Sequence, residues 1–211
     1  MNRLPRLAIC GIVGFACLGL LSAEGRQDEG YVSLFDGKTL TGWTKAGGNG
    51  DKSNWEVIDG AIVGTGQASM LYSPRGDYQN FRFRAEIKIN DHGNSGMYFR
   101  SPTATGDFSK GYEAQIDSTH SDPIRTGSIY GFLHVFKRIV EPDTWFTYEV
   151  ECVDKSWRGT VCPHIKVWIN GELLYELQEK TKAWDKGYFA FQQHDPGSKV
   201  EIRKIEVMEL P

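Results

Sequence analysis

Four short stretches gather side chains able to work on an oxygen-rich substrate. In Asn94-Ser-Gly-Met-Tyr-Phe-Arg100, two-residue alternation puts Asn94, Gly96, Tyr98 and Arg100 on one face and Ser95, Met97 and Phe99 on the other. The first face combines an amide, a phenol and a guanidinium around a glycine, which suits the gripping of hydroxyl and carbonyl oxygens. Tyr112-Glu-Ala-Gln-Ile-Asp117 places Glu113, Gln115 and Asp117 together by the same rule. Thr126-Gly-Ser-Ile-Tyr-Gly131 offers Ser128 and Tyr130, and Gly187-Tyr-Phe-Ala-Phe-Gln-Gln-His194 sets Gln192 beside His194. Taken singly, each strand has a plain explanation as the solvated side of a half-buried sheet. A lone His194 is most simply a satisfied structural histidine. Taken together, the four polar faces bring ionisable groups to one place only if their strands are neighbours.

The elements that must position these groups read as strands. Phe81-Arg-Phe-Arg-Ala-Glu-Ile-Lys-Ile89 alternates apolar and charged residues throughout, and the run from Lys199 to Leu210 does so at the end of the chain. Asp36-Gly37, Asp59-Gly60 and Asn170-Gly171 punctuate such runs, and these pairs suit type I′ turns, in which both central residues take positive φ. No helical period, repeat or second-domain linker follows the first residues, so the strands must bury their apolar faces against one another. The expected fold is all-β, a two-sheet antiparallel jelly-roll sandwich.

The first residues read differently. Arg3 and Arg6 precede an apolar run from Leu7 to Leu21 that ends at Ser22-Ala23, the order of a secretory signal peptide. The run is shorter than the roughly 20 residues of a membrane-spanning helix. Residues 1–23 are therefore expected to be a leader cleaved near Ala23, residues 24–30 a flexible linker, and residues 31–211 one domain, exported to the periplasm or beyond with no stable membrane span. Lipidation at Cys17 is a weaker alternative, because Gly14 stands where a large aliphatic is wanted. The chain carries a formal charge of −3, and both leader arginines lie outside the domain, so nucleic acid is a poor partner. With Cys10 and Cys17 in the leader, Cys152 and Cys162 remain, and their exported setting suggests a disulfide near the base of a hairpin.

From about Tyr31 to Leu210 the chain resembles the 3-keto-disaccharide hydrolase domain family, long called a domain of unknown function, and the resemblance implies a concanavalin A-like jelly roll. The resemblance runs through Leu34-Phe-Asp-Gly-Lys-Thr-Leu-Thr-Gly-Trp43, the stretches from Asn94, Tyr112 and Thr126, Trp168-Ile-Asn-Gly171, and Gln192-Gln-His194 followed by Arg203. It departs between Gly131 and Tyr148, where the family usually has a Pro-rich approach and a Trp-Asn pair, whereas Trp145 here precedes Phe146; Lys204 also stands where an Asn commonly follows the arginine. The resemblance implies a glycoside oxidised at carbon 3 of one ring as substrate. A ketone there acidifies the proton on carbon 2, so one base and a set of oxyanion donors allow the group on carbon 1 to leave. On this basis the base is His194 or Glu113, the enolate is met by Arg100 with Tyr130 or a metal, and Gln115, Asp117 and Gln192 bind hydroxyls beside Asn94, Tyr98 and Ser128.

Rival readings remain. A non-catalytic carbohydrate-binding module shares the architecture. Glu113 and Asp117 could instead be the acid pair of a conventional glucanase-like hydrolase, although four residues along one strand span roughly 13 Å. A divalent metal held by His194 with Glu113 or Asp117 stays open, since no close-spaced ligand motif marks one. Trp43, Trp55, Trp145, Trp168 and Trp184 are expected mainly in core and rim, His120 and Asp122 mainly as solvated residues of a loop that could also form one wall of the site, and His134 and Lys137 in the divergent stretch as substrate contacts.

Overall fold

The computed structural model describes residues 30–47 and 53–211, so the expected leader and most of the linker lie outside the described residues. The strands are β1 (Val32–Ser33), β2 (Thr44–Ala46), β3 (Ser53–Ile58), β4 (Ala61–Gly66), β5 (Ser69–Tyr72), β6 (Phe81–Ile89), β7 (Asn94–Ser101), β8 (Tyr112–Asp117), β9 (Phe146–Trp157), β10 (Thr160–Ile169), β11 (Glu172–Gln178), β12 (Tyr188–Gln193) and β13 (Val200–Glu209). One sheet runs β11-β10-β9-β6-β13-β4-β3 with β1 added on β13, and the other runs β2-β5-β12-β7-β8. Neighbouring strands pair antiparallel throughout, giving the expected sandwich. No helix among the described residues is long and apolar enough to cross a membrane.

Turn chemistry accounts for the hairpins. Asp59 and Gly60 take φ of 50° and 78°, and Asn170 and Gly171 take 51° and 81°, both the type I′ pattern. Arg158-Gly159 turns β9 into β10 in the same way, at 49° and 84°. Asp36-Gly37 turns no hairpin: Asp36 Oδ1 accepts from the N–H of Lys38 at 2.8 Å and of Thr39 at 2.7 Å, closing a local Asx turn. Between the sheets, the apolar side of β6 meets those of β12 and β7, with Phe83 stacked on Phe189 at 3.9 Å and Phe81 edge-on to Phe99 at 5.9 Å. Trp55 and Trp168 are buried, as expected of sandwich tryptophans.

Simple alternation fails at Arg100. Opposite β12, Tyr98 pairs with Ala190 but Ser101 pairs with Tyr188, so β7 carries one residue too many, and Arg100 takes a φ of 52°. This bulge turns Arg100 away from the face of Tyr98 and into the interior, where it is fully buried. Its guanidinium donates to the carbonyl of Gln79 at 2.6 and 2.9 Å, to that of Trp184 at 3.2 Å, and to Asp154 Oδ1 on β9 at 2.9 Å. Arg100 thus ties the two sheets together instead of facing a ligand.

The expected disulfide is absent: Cys152 and Cys162 are free and buried. The turn at Arg158-Gly159 sets the register, pairing Cys152 with Ile165 and Cys162 with Lys155. A three-residue offset separates the cysteines by roughly 10 Å along the strands, beyond disulfide reach.

Replacing Arg100 by alanine leaves Asp154 partly unpaired in the interior, and urea denaturation should show a loss of about 3–5 kcal/mol. Adding Asp154→Ala should recover part of that loss; additive losses would show that the pair is not coupled.

Candidate active site

Outward from the core, the five-stranded sheet presents the polar faces of β7, β8 and β12 side by side. β7 pairs with β8 so that Asn94 faces Asp117, Gly96 faces Gln115 and Tyr98 faces Glu113. After β8 the chain returns alongside it, with the N–H of Gln115 donating to Ser128 O at 3.0 Å and that of Tyr130 to Glu113 O at 2.9 Å. These contacts extend the sheet by one short run and stand Tyr130 beside Glu113. A pocket of about 360 Å³ results, lined by Asn94, Tyr98, Phe108, Ser109, Glu113, Gln115, Asp122, Tyr130, Gln192 and His194. Its size and its mixture of amides, phenols and ionisable groups are those of a small-ligand site.

Burial strongly perturbs two groups in it, pushing both the Tyr98 phenol and the Glu113 carboxyl upward. A Cβ at Gly96 would lie 2.5 Å from Glu113 Oε1 and 2.6 Å from the Tyr98 ring, so the glycine leaves the space into which Glu113 folds. Burial there pushes its carboxyl up to about 8 against the weaker opposing effect of a hydrogen bond from Tyr98, and repulsion from Asp122 adds to the rise. Glu113 is therefore a carboxylic acid at neutral pH.

His194 has the opposite character. Its Nδ1 lies 2.7 Å from Asp195 Oδ2, which fixes the ring and directs Nε2 away from the carboxylate. Desolvation works against the charge on Asp195, but hydrogen bonds from His194, the N–H of Gly197 and Ser198 outweigh it and hold the carboxyl below its ordinary value. The pocket so combines a proton-bearing acid with a histidine backed by an anion.

Around these, the amides form a binding floor. Gln115 Nε2 donates to Asn94 Oδ1 at 3.2 Å and Gln192 Nε2 to the Tyr98 hydroxyl at 3.3 Å. Each leaves a buried Oε1 with no partner. Unfilled buried acceptors are costly, and a ligand rich in hydroxyls would fill them.

Three expected contacts lie outside the pocket lining. Arg100 is in the interior. Asp117 is fully buried, accepting from Arg125 Nη1 at 2.8 Å and from the N–H of His120 at 3.1 Å, and so braces the loop that follows β8. Ser128 is tied to Val135, accepting its N–H at 2.8 Å. The sequence reading missed Asp195 and Phe108, whose ring lies 6.3 Å from that of His194, whereas Asp122, expected mainly as a solvated loop residue, is the wall residue that its loop could supply. The Asp195-Pro-Gly-Ser198 turn directly after His194 was the available signal for the first.

His120, His194 and Asp195 offer ligand atoms within 4.8 Å of one another, and two imidazoles with a carboxylate suit a borderline divalent ion. An ion there competes with bonds already made. His194 Nδ1 is committed to Asp195, and His120 Nδ1 accepts the N–H of Asp122 at 3.2 Å, which leaves the proton of a neutral ring on Nε2. Metal binding through His120 Nε2 would need that ring to change tautomer and give up the Asp122 contact.

Residues 30–208 match the 3-keto-alpha-glucoside-1,2-lyase-like domain, and the chain belongs to that family. A protein of Bacteroides thetaiotaomicron named 3-keto-disaccharide hydrolase is 33% identical over 85 residues, a stretch covering 36% of this chain and 29% of that relative. Among solved structures, a putative glycosyl hydrolase from Parabacteroides distasonis superposes with a TM-score of 0.63 at 19% identity, covering 85% of this chain and 99% of its own. The carbohydrate-binding module CBM66 from Bacillus subtilis does so with a TM-score of 0.59 at 16% identity, covering 80% and 96%. Likeness at those identities concerns the fold.

Raised from an ordinary value near 4.5 to about 8, Glu113 favours the folded state while protonated and disfavours it once ionised. Its stabilising effect is complete below the unfolded value and is lost as pH rises through about 8. Glu113→Gln, neutral at every pH, should gain a few kcal/mol on the wild type between pH 5 and pH 9 in parallel denaturation curves. A pH-independent difference would show that Glu113 titrates normally.

Proposed function

We propose that this protein is a carbohydrate-active enzyme that cleaves 3-keto-glycosides by elimination followed by hydration, acting outside the cytoplasm. The observation that carries the reading is the pairing of a protonated Glu113 with the His194–Asp195 dyad across one hydroxyl-binding pocket. The family's description and the name of the Bacteroides relative support the same substrate class.

The chemistry follows from where the protons sit. With the oxidised ring on the amide floor, His194 Nε2 takes the proton from carbon 2, and the electrons of that C–H bond move toward carbon 3, placing negative charge on the ketone oxygen. The Asn94 and Gln192 amide N–H groups replace Arg100 in meeting that charge, while the Tyr130 hydroxyl is committed to Asp122 Oδ2. The enolate then re-forms the ketone, a double bond joins carbons 1 and 2, and the C1–O bond breaks as Glu113 protonates the departing oxygen. Water adding across the new double bond returns a proton to carbon 2 and a hydroxyl to carbon 1. The net result is hydrolysis.

The glucanase alternative lacks a partner for Glu113, because Asp117 is held by Arg125. A binding module has no use for an acid poised near neutrality. A second catalytic reading has the His120, His194 and Asp195 cluster behind it: a divalent ion held there would polarise the ketone, and turnover lost on chelation and restored by the ion would move His194 from base to ligand.

The mature protein, incubated with 3-keto-trehalose or a 3-keto-glucoside, should release free sugar with transient ultraviolet absorption from the conjugated enone. kcat/KM should fall above about pH 8 as Glu113 ionises. His194→Ala should lower kcat by about 10²–10⁴. No release from any keto-glycoside, or full activity in the His194 variant, would refute the proposal.

A further inference from the structure

The wall that carries Tyr130 continues out of the pocket as a row of rings. Tyr130 is 41% exposed, and its hydroxyl donates to Asp122 Oδ2 at 3.2 Å. The His134 ring lies 5.9 Å from that of Tyr130, tilted 44° to it, and the Phe136 ring lies 6.0 Å from that of His134, edge to face with it and 64% exposed.

The row is held in place. Ile129 and Leu133 exchange both backbone hydrogen bonds at 2.9 Å, and Val135 is pinned by its N–H to Ser128 Oγ at 2.8 Å and by its carbonyl to the N–H of Arg125 at 2.8 Å. His134 Nε2 accepts the N–H of Gly131 at 3.1 Å, fixing that ring as well. Burying a phenylalanine stabilises a fold, and a braced segment that leaves Phe136 in water forgoes most of that gain. The sequence departs from the family pattern in this same stretch after Gly131.

We infer that Tyr130, His134 and Phe136 form the subsite for the leaving half of the substrate, and that this half is a second sugar ring laid with its C–H face on the aromatic row. The inference rests on the catalytic reading above, because that reading fixes the direction. Glu113 protonates the departing oxygen, and Tyr130 is its neighbour through the 2.9 Å bond from Tyr130 N–H to Glu113 O. The departing group therefore leaves the pocket on the Tyr130 side, where the row begins. C–H groups carry slight positive charge and the ring faces slight negative charge, so a sugar face and an aromatic face attract. An aromatic leaving group would offer the same flat contact.

Phe136→Ala tests the subsite on three substrates: a 3-keto-disaccharide, phenyl 3-keto-glucoside and methyl 3-keto-glucoside. The expected result is a KM for the disaccharide that rises roughly three- to tenfold relative to the methyl glycoside, with kcat on the disaccharide little changed and Phe136→Trp restoring the wild-type ratio. An increase confined to the phenyl glycoside would replace the sugar by an aromatic leaving group and overturn the inference as stated. An unchanged KM ratio would overturn it outright while leaving the catalytic reading intact. If the wild type turns over none of the three, saturation-transfer NMR with the unoxidised disaccharide decides the matter independently. Transfer to one ring's C–H protons that Phe136→Ala removes supports the subsite, and transfer unaffected by that variant contradicts it.

Discussion

The site depends on the missing side chain at Gly96. Without a Cβ there, Glu113 can fold back beside Tyr98 on the outer face of the five-stranded sheet, and burial in that position pushes its carboxyl up to about 8, favouring the protonated form at neutral pH. Every other chemical role is assigned relative to that proton. In the proposed mechanism His194 is the base because Glu113 is the acid, and the leaving group departs on the side where Glu113 and Tyr130 sit.

Two ties hold this face rigid. The bulge in β7 sends Arg100 through to Asp154 on the opposite sheet, locking one end of the sandwich. Asp154 keeps its charge although burial opposes it, through hydrogen bonds from Gln79, Lys182 and Arg100 that draw its carboxyl below the ordinary value. At the other end, Asp117 with Arg125 braces the loop that supplies Asp122 and leads to Tyr130. A charged pair in each place costs desolvation, and what it returns is a fixed geometry for groups that must stay aligned within fractions of an ångström.

Strand alternation made much of this legible in advance. β6 was readable residue by residue, and Asn94, Tyr98, Glu113, Gln115, Tyr130, Gln192 and His194 do converge on one pocket. What failed was whatever depends on register between strands. Arg100 obeys period two until one extra residue on β7, visible only against β12, reverses it. Cys152 and Cys162 looked bridgeable until the two-residue turn at Arg158-Gly159 set them three positions apart. Asp117 lies on the expected strand and Ser128 on a run that forms only an isolated bridge at Ile129, and partners from the chain that follows occupy both. His120 and Asp195 were hidden for a related reason: their meeting with His194 is made by two loops, and loop geometry carries no periodicity to read.

The central claim is that Glu113 carries a proton at neutral pH, and a carboxyl-selective carbon-13 NMR titration of the protein labelled at glutamate reports it directly. The account predicts a side-chain carboxyl resonance that titrates with a midpoint near 8 and is missing from the spectrum of Glu113→Gln. A Glu113 resonance already ionised by pH 6 would contradict it, and the division of labour between Glu113 and His194 would fall with it.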